Sequence, residues 1–424
     1  MRVEKKQYYK INYAIYLLLI ISPSIKSKDY LHFYRASSFW EEPRLEKQWL
    51  SSFECNVSRG STKHSKNELQ KKAELLDIYG FANMKLVGKG TDLNVNDIHD
   101  LILFNLIGLP SNGNFAKLSF SGKFSTFEAD FTLSQNLING FFTQAHIPFR
   151  KIKVQVDPFV DLSPEIGNPN KNDLNWQAFL IGFPVLLRKK NLNIDSYNRT
   201  GTGDVSWYIG WTKNYEDTQD LDFIDFTTKL GVLFATSKKK DPDHVFSLPQ
   251  GYNGHKGADF TLDFAIGAYE WLTIGSHLEL LHFFDHKKEM RITTDVEQSG
   301  MIKLAKDTVL FKKGSIINCG FFAKADHIIA GISLLIGYSR THKRNDRVIP
   351  KNSNFTQINA NSDQALKGWD QHTIHLKADV DFTKKTNIFG PRIGVFYNHQ
   401  LSGLRTFKAN MIGGNFGFEI NWDY

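Results

Sequence analysis

Apolar and polar residues alternate along most of the chain, from about residue 115 to the last residue. In 127–133 the odd positions hold Phe, Ala, Phe and Leu, while the even positions hold Glu, Asp and Thr. The same period of two recurs in 205–211, 224–234, 258–268, 272–280 and 374–382. Because successive side chains of a β-strand point to opposite faces, each segment predicts a strand of about 7–11 residues with one apolar face.

Tight turns and long polar connections join these predicted strands. Residues 269–271 form one tight turn, whereas 157–175, 237–256 and 340–368 are long and polar. Short turns at one end and long loops at the other are typical of an up-and-down transmembrane barrel. We therefore predict an all-β chain, an antiparallel barrel of about 12–14 strands over 115–424. The pattern leaves the strand boundaries within 135–200 and 283–312 undefined.

The end of the chain has the clearest alternation. Phe416, Phe418, Ile420, Trp422 and Tyr424 alternate with Gly, Glu, Asn and Asp. Outer-membrane barrels typically end in such a strand, and its terminal aromatic resembles the signal that the barrel-assembly machinery recognises. We predict that 415–424 closes the barrel by pairing with a first strand near 116–124, because an open sheet edge in lipid leaves backbone groups unpaired.

The start of the chain differs from the rest. Residues 1–27 combine a basic stretch, a short apolar run over 13–21 and Pro23, which predicts a secretory signal peptide. Residues 28–110 lack the period of two. Helical spacing over 67–77 and a short apolar run over 98–107 predict a small mixed, partly helical N-terminal segment that plugs the barrel or extends into the periplasm.

Composition narrows the class of protein. With 34 Phe, 15 Tyr and 8 Trp, the chain has too many aromatics for a disordered coil, and it has no series of long apolar runs for membrane helices. The net charge is +8, but residues 1–27 hold five Lys/Arg and one Glu, so +4 remains. This weak charge predicts no nucleic-acid partner. Two cysteines, Cys55 and Cys319, exclude a disulfide framework, and their pairing stays open.

No motif predicts an enzyme or a cofactor. Phosphate-binding loops, HExxH and GxSxG are absent from the sequence. His277 and Glu279 share a strand face, with His282 and His286 following, but among 14 histidines chance adjacency is the better interpretation, so we predict no metal site.

Charged residues on the polar strand faces are instead candidates for the lumen lining. They form either a satisfied charge network or a lining that selects solutes by charge. The candidates are Glu128, Asp130, Asp225, Lys229, Asp259, Asp263, His277, Glu279, His375, Lys377, Asp379 and Asp381.

A soluble β-sandwich would show the same alternation with its apolar face inward. Two features favour a membrane barrel: the polar faces are rich in Gly, Thr, Asn and Asp, and bulky aromatics such as Trp207, Trp211 and Trp271 recur near strand ends, as in aromatic girdles.

One stretch, 203–267, resembles a known family. It begins GDVSWYIGWTKNY and contains Leu248-Pro249-Gln250-Gly251 and Gly257-Ala258-Asp259-Phe260. These elements are similar to those of the outer-membrane transporter families of the fatty-acid channel and the phenol-degradation-pathway barrels. Ala235-Thr236-Ser237 departs from them, since those families usually have Pro and Gly there.

The resemblance implies a barrel in the cell outer membrane that passes hydrophobic or other small organic molecules, with a plug. We therefore expect a channel for passive uptake of small solutes, with the outer-membrane lipid, the barrel-assembly machinery and a small-molecule solute as partners. Two alternatives remain: a structural or adhesion barrel without transport, and a secreted soluble β-sandwich that binds a ligand.

Overall fold

The computed structural model describes residues 48–94, 96–110, 113–216, 221–269, 271–329, 331–382 and 389–422. The expected signal peptide over 1–27 lies outside these ranges, as does Tyr424.

Twelve antiparallel strands form a closed barrel within the described ranges. Each strand pairs with the next along the chain, and the twelfth pairs with the first. In chain order they are β1 (Leu50–Thr62), β2 (Gly122–Asn136), β3 (Phe141–Val156), β4 (Val205–Glu216), β5 (Phe223–Phe234), β6 (Gly257–Tyr269), β7 (Leu272–Phe283), β8 (Ile316–Ile329), β9 (Ile332–Lys343), β10 (Asp370–Asp381), β11 (Phe389–Leu404) and β12 (Asn410–Asn421).

Shorter elements fill the connections. The helices are α1 (Met84–Val87), α2 (Ile98–Gly108), α3 (Leu174–Lys189) and α4 (Gln357–Ser362), with 3-10 turns at Leu75–Asp77 and Gln364–Leu366. None of the helices described is long and apolar enough to cross a membrane. The short strands are His64–Lys66, Lys72–Glu74, Ala82–Asn83, Lys117–Ser119, Val160–Asp161, Tyr197–Thr202, His286–Arg291, Lys306–Lys312, Arg347–Pro350 and Thr406–Phe407.

The two ends of the barrel differ, as the connection lengths predict. At the turn end, Leu50 lies opposite Asn421, and the strands are joined by short connections such as the one between β6 and β7. All helices and short strands belong to the connections at the other end, which we call the loop end. In outer-membrane barrels the short turns are periplasmic and the long loops extracellular.

The outer face of the barrel is apolar and the inner face polar. On β6, Phe260 and Phe264 are 40% and 42% exposed, whereas the alternating Asp259 and Asp263 are 4% and 8% exposed. A soluble β-sandwich would bury the apolar face, so the closed sheet with this inverted pattern favours a membrane barrel over that alternative. The closure also pairs the backbone groups that lipid would leave unsatisfied.

A compact cap fills the loop end of the barrel. We define the cap as residues 63–121 and 157–196. Its apolar core includes Leu75, Trp176 and Phe183, and it packs on the inner face of β2 and β3 through Phe124 and Ile152. The cap is therefore seated in the mouth of the barrel.

The structure corrects the expected barrel boundary. The sequence predicts that 28–110 plugs the barrel or extends into the periplasm, but β1 lies within that range and forms a barrel strand between β12 and β2. Its outward side chains are mixed, Phe53, Cys55, Val57 and Arg59, so the period of two is weak in the sequence. Residues 63–110 connect two barrel strands at the loop end, and residues 28–47 lie outside the described ranges.

The closing pair is also corrected. β12 pairs with β1, from Leu50 opposite Asn421 to Ser61 opposite Asn410, and not with 116–124. Lys117–Ser119 instead pairs with two short cap strands. The last strand thus closes the barrel against the first, but the first strand begins about 65 residues earlier than the alternation predicts.

The predicted helix over 67–77 is absent. The Asn67 side chain accepts hydrogen bonds from the backbone N–H groups of Leu69 and Lys71, and Gln70 has a positive φ of 60°. These contacts form a turn that interrupts the helical spacing. The apolar run at 98–107, in contrast, is helix α2.

Candidate functional site: the lumen and its vestibule

The predicted lumen residues lie on the inner face of the barrel strands. Ten of the twelve are less than 9% exposed, and Lys377 and Asp381 are half-buried. The residues directly before and after them in each strand belong to the outer face, which is largely apolar and exposed. The ten buried members are Glu128, Asp130, Asp225, Lys229, Asp259, Asp263, His277, Glu279, His375 and Asp379.

One cluster joins β6 and β7. His277 Nδ1 lies 2.6 Å from Asp263 Oδ1, and His277 Nε2 lies 3.7 Å from Glu279 Oε2. On the adjoining wall, the Tyr208 hydroxyl donates to Asp259 Oδ2 at 2.7 Å. The strand register places Asp263 directly opposite His277, which is why these residues meet.

The other predicted residues contact polar partners elsewhere on the wall. Glu128 forms an ion pair with Arg150 at 3.6 Å, and Lys229 Nζ donates to Gln144 Oε1 at 3.2 Å. The remaining contacts are Asp130 with His146, Asp225 with Asn214, His375 with Ser339 and Asn398, Lys377 with Asp379, and Asp381 with Arg392. The carboxylates are thus held against the wall by neighbouring strands.

Inner-face glycines accommodate aromatic rings. A Cβ on Gly210 would lie 2.2 Å from Phe142 Cζ, and one on Gly231 would lie 2.3 Å from Tyr208 Cδ1. Each ring occupies the space above a glycine of the neighbouring strand, where a larger residue would displace it. This explains why the polar faces of these strands contain glycine.

The loop containing the Leu-Pro-x-Gly motif folds onto the inner wall. Gln250 is fully buried; its Nε2 donates to the Arg150 carbonyl at 3.0 Å, and Arg150 Nη1 donates to the Gln250 carbonyl at 2.9 Å. The Tyr197 hydroxyl donates to the Leu248 carbonyl at 3.1 Å, and Asp204 Oδ1 accepts from the Ser237 N–H at 2.9 Å. We call residues 248–252 the latch.

A cavity of about 350 Å³, which we call the vestibule, lies at the loop end beside the latch. Arg150 and Tyr252 line it and also line a second cavity of about 40 Å³, which Asp259 and Glu279 reach from the lumen. Tyr252 of the latch and Arg150 of β3 therefore lie between the vestibule and this second cavity.

The described lining of the vestibule has more cations than carboxylates, although four of the cations, Arg150, Arg291, Lys303 and Lys343, form ion pairs with carboxylates. Eight cations face it against two carboxylates, Glu289 and Asp363. The cations are Arg150, Lys239, Lys240, Lys288, Arg291, Lys303, Lys313 and Lys343. Apolar side chains form much of the remaining wall, among them Leu192, Val245, Met290, Phe311, Leu366 and Trp369.

Several of these cations are fixed by neighbours. Lys303 forms an ion pair with Asp363, and Lys288 Nζ lies 3.6 Å from the centre of the Phe311 ring. Arg291 donates to Asp243 Oδ1 at 2.8 Å. Burial opposes ionisation of Asp243, but hydrogen bonds from Lys306 and Arg291 hold its pKa below the ordinary value.

Sequence reasoning missed the residues that connect the wall to the loops. Arg150, Gln144 and His146 occupy inward positions of β3, in the stretch whose boundaries the pattern left undefined. The period of two continues through 141–150, so the alternation alone could have assigned these three residues to the inner face. Nothing local identifies the vestibule cations, because they come from two loops, 235–256 and 284–315, and from the loop-end parts of β3 and β9.

Metal and disulfide chemistry find no support among the described residues. No group of three or more His, Cys, Asp or Glu is arranged to hold a metal ion there. His282 instead lies near Ser315, and His286 near Lys239, apart from His277. Cys55 and Cys319 are both free thiols.

The fold matches solved outer-membrane barrels. The structure is similar to an outer-membrane channel from Pseudomonas putida F1, with a TM-score of 0.50 and 10% identity, over 89% of this chain and 97% of that one. Weaker similarity links it to the Pseudomonas putida toluene transporter TodX (TM-score 0.31, 11% identity, 93% and 95% covered). The structure also has weaker similarity to the translocator domain of the Neisseria meningitidis autotransporter NalP, with a TM-score of 0.35 and 9% identity, over 88% of this chain and 89% of that one.

No protein-family model and no curated protein matches the sequence. The fold is thus that of an outer-membrane β-barrel, which confirms the predicted fold class. The closed sheet and its apolar outer face agree with a location in the cell outer membrane.

Proposed function

We propose that this barrel is a channel for passive uptake of small solutes, entered through the vestibule. We further propose that it prefers compact organic anions with an apolar body, such as aromatic carboxylates. The observation that carries the proposal is the lining of the vestibule, where eight cations and an apolar wall enclose about 350 Å³. A cavity of this size with a few polar groups in an apolar lining suits a small organic ligand.

Charge and apolar surface act on different parts of such a solute. A concave, cation-lined cavity attracts anions and raises their local concentration. Aromatic and aliphatic walls such as Phe311 and Trp369 then favour a solute body that leaves water. Below the latch the wall carries carboxylates, but Glu128 contacts Arg150 and Asp381 contacts Arg392, which limits the repulsion of a passing anion.

The test compares uptake of benzoate with that of the neutral analogue benzamide by vesicles containing the full chain. We expect benzoate to enter faster, and the triple variant Lys240→Gln, Lys288→Gln, Lys313→Gln to remove most of that preference. A matched control carries three Lys→Gln changes on the outer wall, at Lys123, Lys151 and Lys153, where all three side chains are exposed. The control should keep the wild-type ratio.

Two outcomes would contradict the proposal. Equal entry of benzoate and benzamide into wild-type vesicles would remove the anion preference while leaving a channel. Entry of neither above the rate of empty vesicles would favour the alternative of a structural or adhesion barrel without transport.

A further inference from the structure

A patch of cations lies on the outer face of three adjacent strands near the loop end. Arg59 of β1, Lys123 of β2, and Lys151 and Lys153 of β3 all have exposed side chains. Lys63, directly after β1, is exposed as well. We call these five residues the basic patch.

The register brings the patch together. Arg59 and Lys151 both lie opposite Phe127, one on each side of it. Lys153 lies opposite Ser125, which is two residues nearer the loop end than Phe127. Lys123 lies opposite Gln155 and is four residues nearer the loop end than Phe127. Strands of a sheet are about 4.8 Å apart and alternate residues about 6.8 Å apart, so the patch is a surface three strands wide, about 10 Å from β1 to β3.

The patch begins where the apolar outer face ends. On β3 the outward residues towards the turn end include Ala145, Ile147 and Phe149, and Phe149 is 45% exposed. Lys151 and Lys153 are the next two outward residues. From Phe141 to Phe149 a strand rises about 26 Å, which at the usual barrel tilt spans most of a lipid-facing band about 25 Å tall. The basic patch therefore lies at the level of the lipid headgroups.

The patch has no anionic partner within the described structure. None of its five members forms an ion pair with a described residue, and the carboxylates of β2, Glu128 and Asp130, face inward. The opposite wall differs: there the outward Arg340 binds Asp370 through two nitrogens, with Nη2 2.6 Å from Oδ2, and His372 also contacts Asp370. That cluster carries its own counter-charge, whereas the basic patch does not.

We propose that the basic patch binds the phosphate groups of lipid headgroups in the leaflet at the loop end, which is the outer leaflet. Phosphate accepts several charge-assisted hydrogen bonds, and clustered Lys and Arg beside a membrane are the usual donors. The exposed Asn198 and Thr200, which lie opposite Lys153 and Lys151, add neutral donors at the same level. This inference is independent of the solute that crosses the barrel.

The experiment measures binding of bis-phosphorylated lipid A to the full chain in neutral detergent, by thermal stabilisation and by native mass spectrometry. Each lysine near an anionic lipid contributes about a fivefold gain in affinity. We expect the triple variant Lys123→Gln, Lys151→Gln, Lys153→Gln to bind about 100-fold more weakly, and the same positions changed to Arg to bind like wild type. A matched control changes three exposed lysines outside the patch and the vestibule, Lys71, Lys72 and Lys351, to Gln and should bind normally.

The lipid dependence separates headgroup recognition from general charge attraction. Monophosphorylated lipid A should stabilise the wild-type chain less than the bis-phosphorylated form. Equal stabilisation of the wild type and the Lys→Gln patch variant would overturn the proposal, as would equal stabilisation by inorganic phosphate at the same concentration. If the Gln variant fails to fold, the proposal is still tested by the Arg variant and by comparing the two forms of lipid A and inorganic phosphate on the wild-type chain.

Discussion

On strand β6, consecutive side chains enter opposite environments. Asp263 is buried against His277 in the lumen, and Phe264 next to it is exposed on the outer face. The outer position suits contact with lipid hydrocarbon, and the inner position suits a hydrogen bond to a polar neighbour. Single substitutions at these two sites therefore test the face assignment independently of any transport assay.

We expect Phe264→Arg to lower the free energy of unfolding in lipid vesicles by about 2–4 kcal/mol, the cost of a cation at mid-bilayer in a barrel. The paired control Asp263→Asn should cost far less, because the amide retains a hydrogen-bonding side chain beside His277. Denaturant titration of vesicle-inserted protein measures both. Large and equal losses at the two positions would contradict the assigned faces.

A second residue-scale test concerns His255, which lies in the loop before β6. Its ring is fully buried, with Nδ1 3.2 Å from the Phe284 carbonyl oxygen and the ring packed against Phe311. Burial, reinforced by Lys313 and Lys288, lowers the pKa of His255 from 6.5 to about 2. The unfolded loop would protonate below pH 6.5 while the folded loop would not, so the loop loses stability as the pH falls from 6.5.

Hydrogen exchange of 248–256 at pH 7.5 and pH 5.0, corrected for intrinsic rates, measures this effect. Between those values the protection of the wild-type loop should fall by up to about 30-fold, because pH 5.0 lies 1.5 units below the ordinary histidine pKa of 6.5. His255→Gln, which keeps a donor for the Phe284 carbonyl, should lose much less. The same loss in both proteins would show that other groups cause the pH dependence.

Among the elements, the latch is the one that lies between the two cavities. It is held by side chains of the barrel wall and of Gln250 itself, and not by a strand ladder. An element held by a few hydrogen bonds opens at lower free-energy cost than a barrel strand. Because Tyr252 lines both cavities, we expect opening of the latch to widen the connection between the vestibule and the lumen.

We expect Gln250→Ala to favour the open latch by about 1 kcal/mol, because it removes the buried hydrogen bond from the Gln250 side chain to the Arg150 carbonyl. Single-channel recording should show open events at least several-fold more frequent than in wild type. Gln155→Ala, an exposed glutamine on the outer face of β3, is the control. Unchanged opening in Gln250→Ala would mean that the latch does not limit passage.

The cap is the second element with a testable role. Deleting 28–110 would remove β1 and leave β2 and β12 without their shared partner. Because Thr62 lies opposite Phe124, a four-residue turn can instead replace 64–121 without altering the barrel register. We expect this variant to keep heat-modifiable gel migration and to show higher conductance. A folded variant with unchanged conductance would contradict the prediction that the cap obstructs the mouth.

For the molecule as a whole, closure and assembly can be separated. β12 ends at Asn421, so removing 422–424 leaves every pair between β12 and β1 in place. Trp422 lies beyond that seam, 52% exposed, and its Nε1 donates to Ser51 Oγ at 2.7 Å. Tyr424 lies outside the described residues.

We expect the chain truncated after Asn421 to accumulate outside the membrane in cells, because the terminal aromatic signal is lost. After refolding in detergent it should unfold within about 1 kcal/mol of wild type, since one exposed hydrogen bond contributes little. Ser51→Ala, which removes that bond and the one from Ser51 Oγ to Gln135 Oε1, should insert normally. Normal insertion of the truncated chain would contradict the assignment of Trp422 and Tyr424 as the assembly signal.

Much of the wall could be predicted from the sequence. The faces of β6, β7 and β10 follow from local alternation, because a residue's side of a strand depends only on its parity. The inward lumen residues, the outward Phe264 and the terminal strand were therefore all placed by pattern alone.

The sequence by itself thus determined the kind of sheet, the face of most of its residues and the terminal strand. Only the tertiary structure decided that β1 is a barrel strand, that the cap lies in the mouth, and that Arg150 meets Gln250 across 100 residues of chain. The reason is physical: the strand period is a local property, whereas barrel closure, the vestibule and the latch depend on contacts between distant segments. Those contacts form only when twelve strands close a ring and fix which loops face one another.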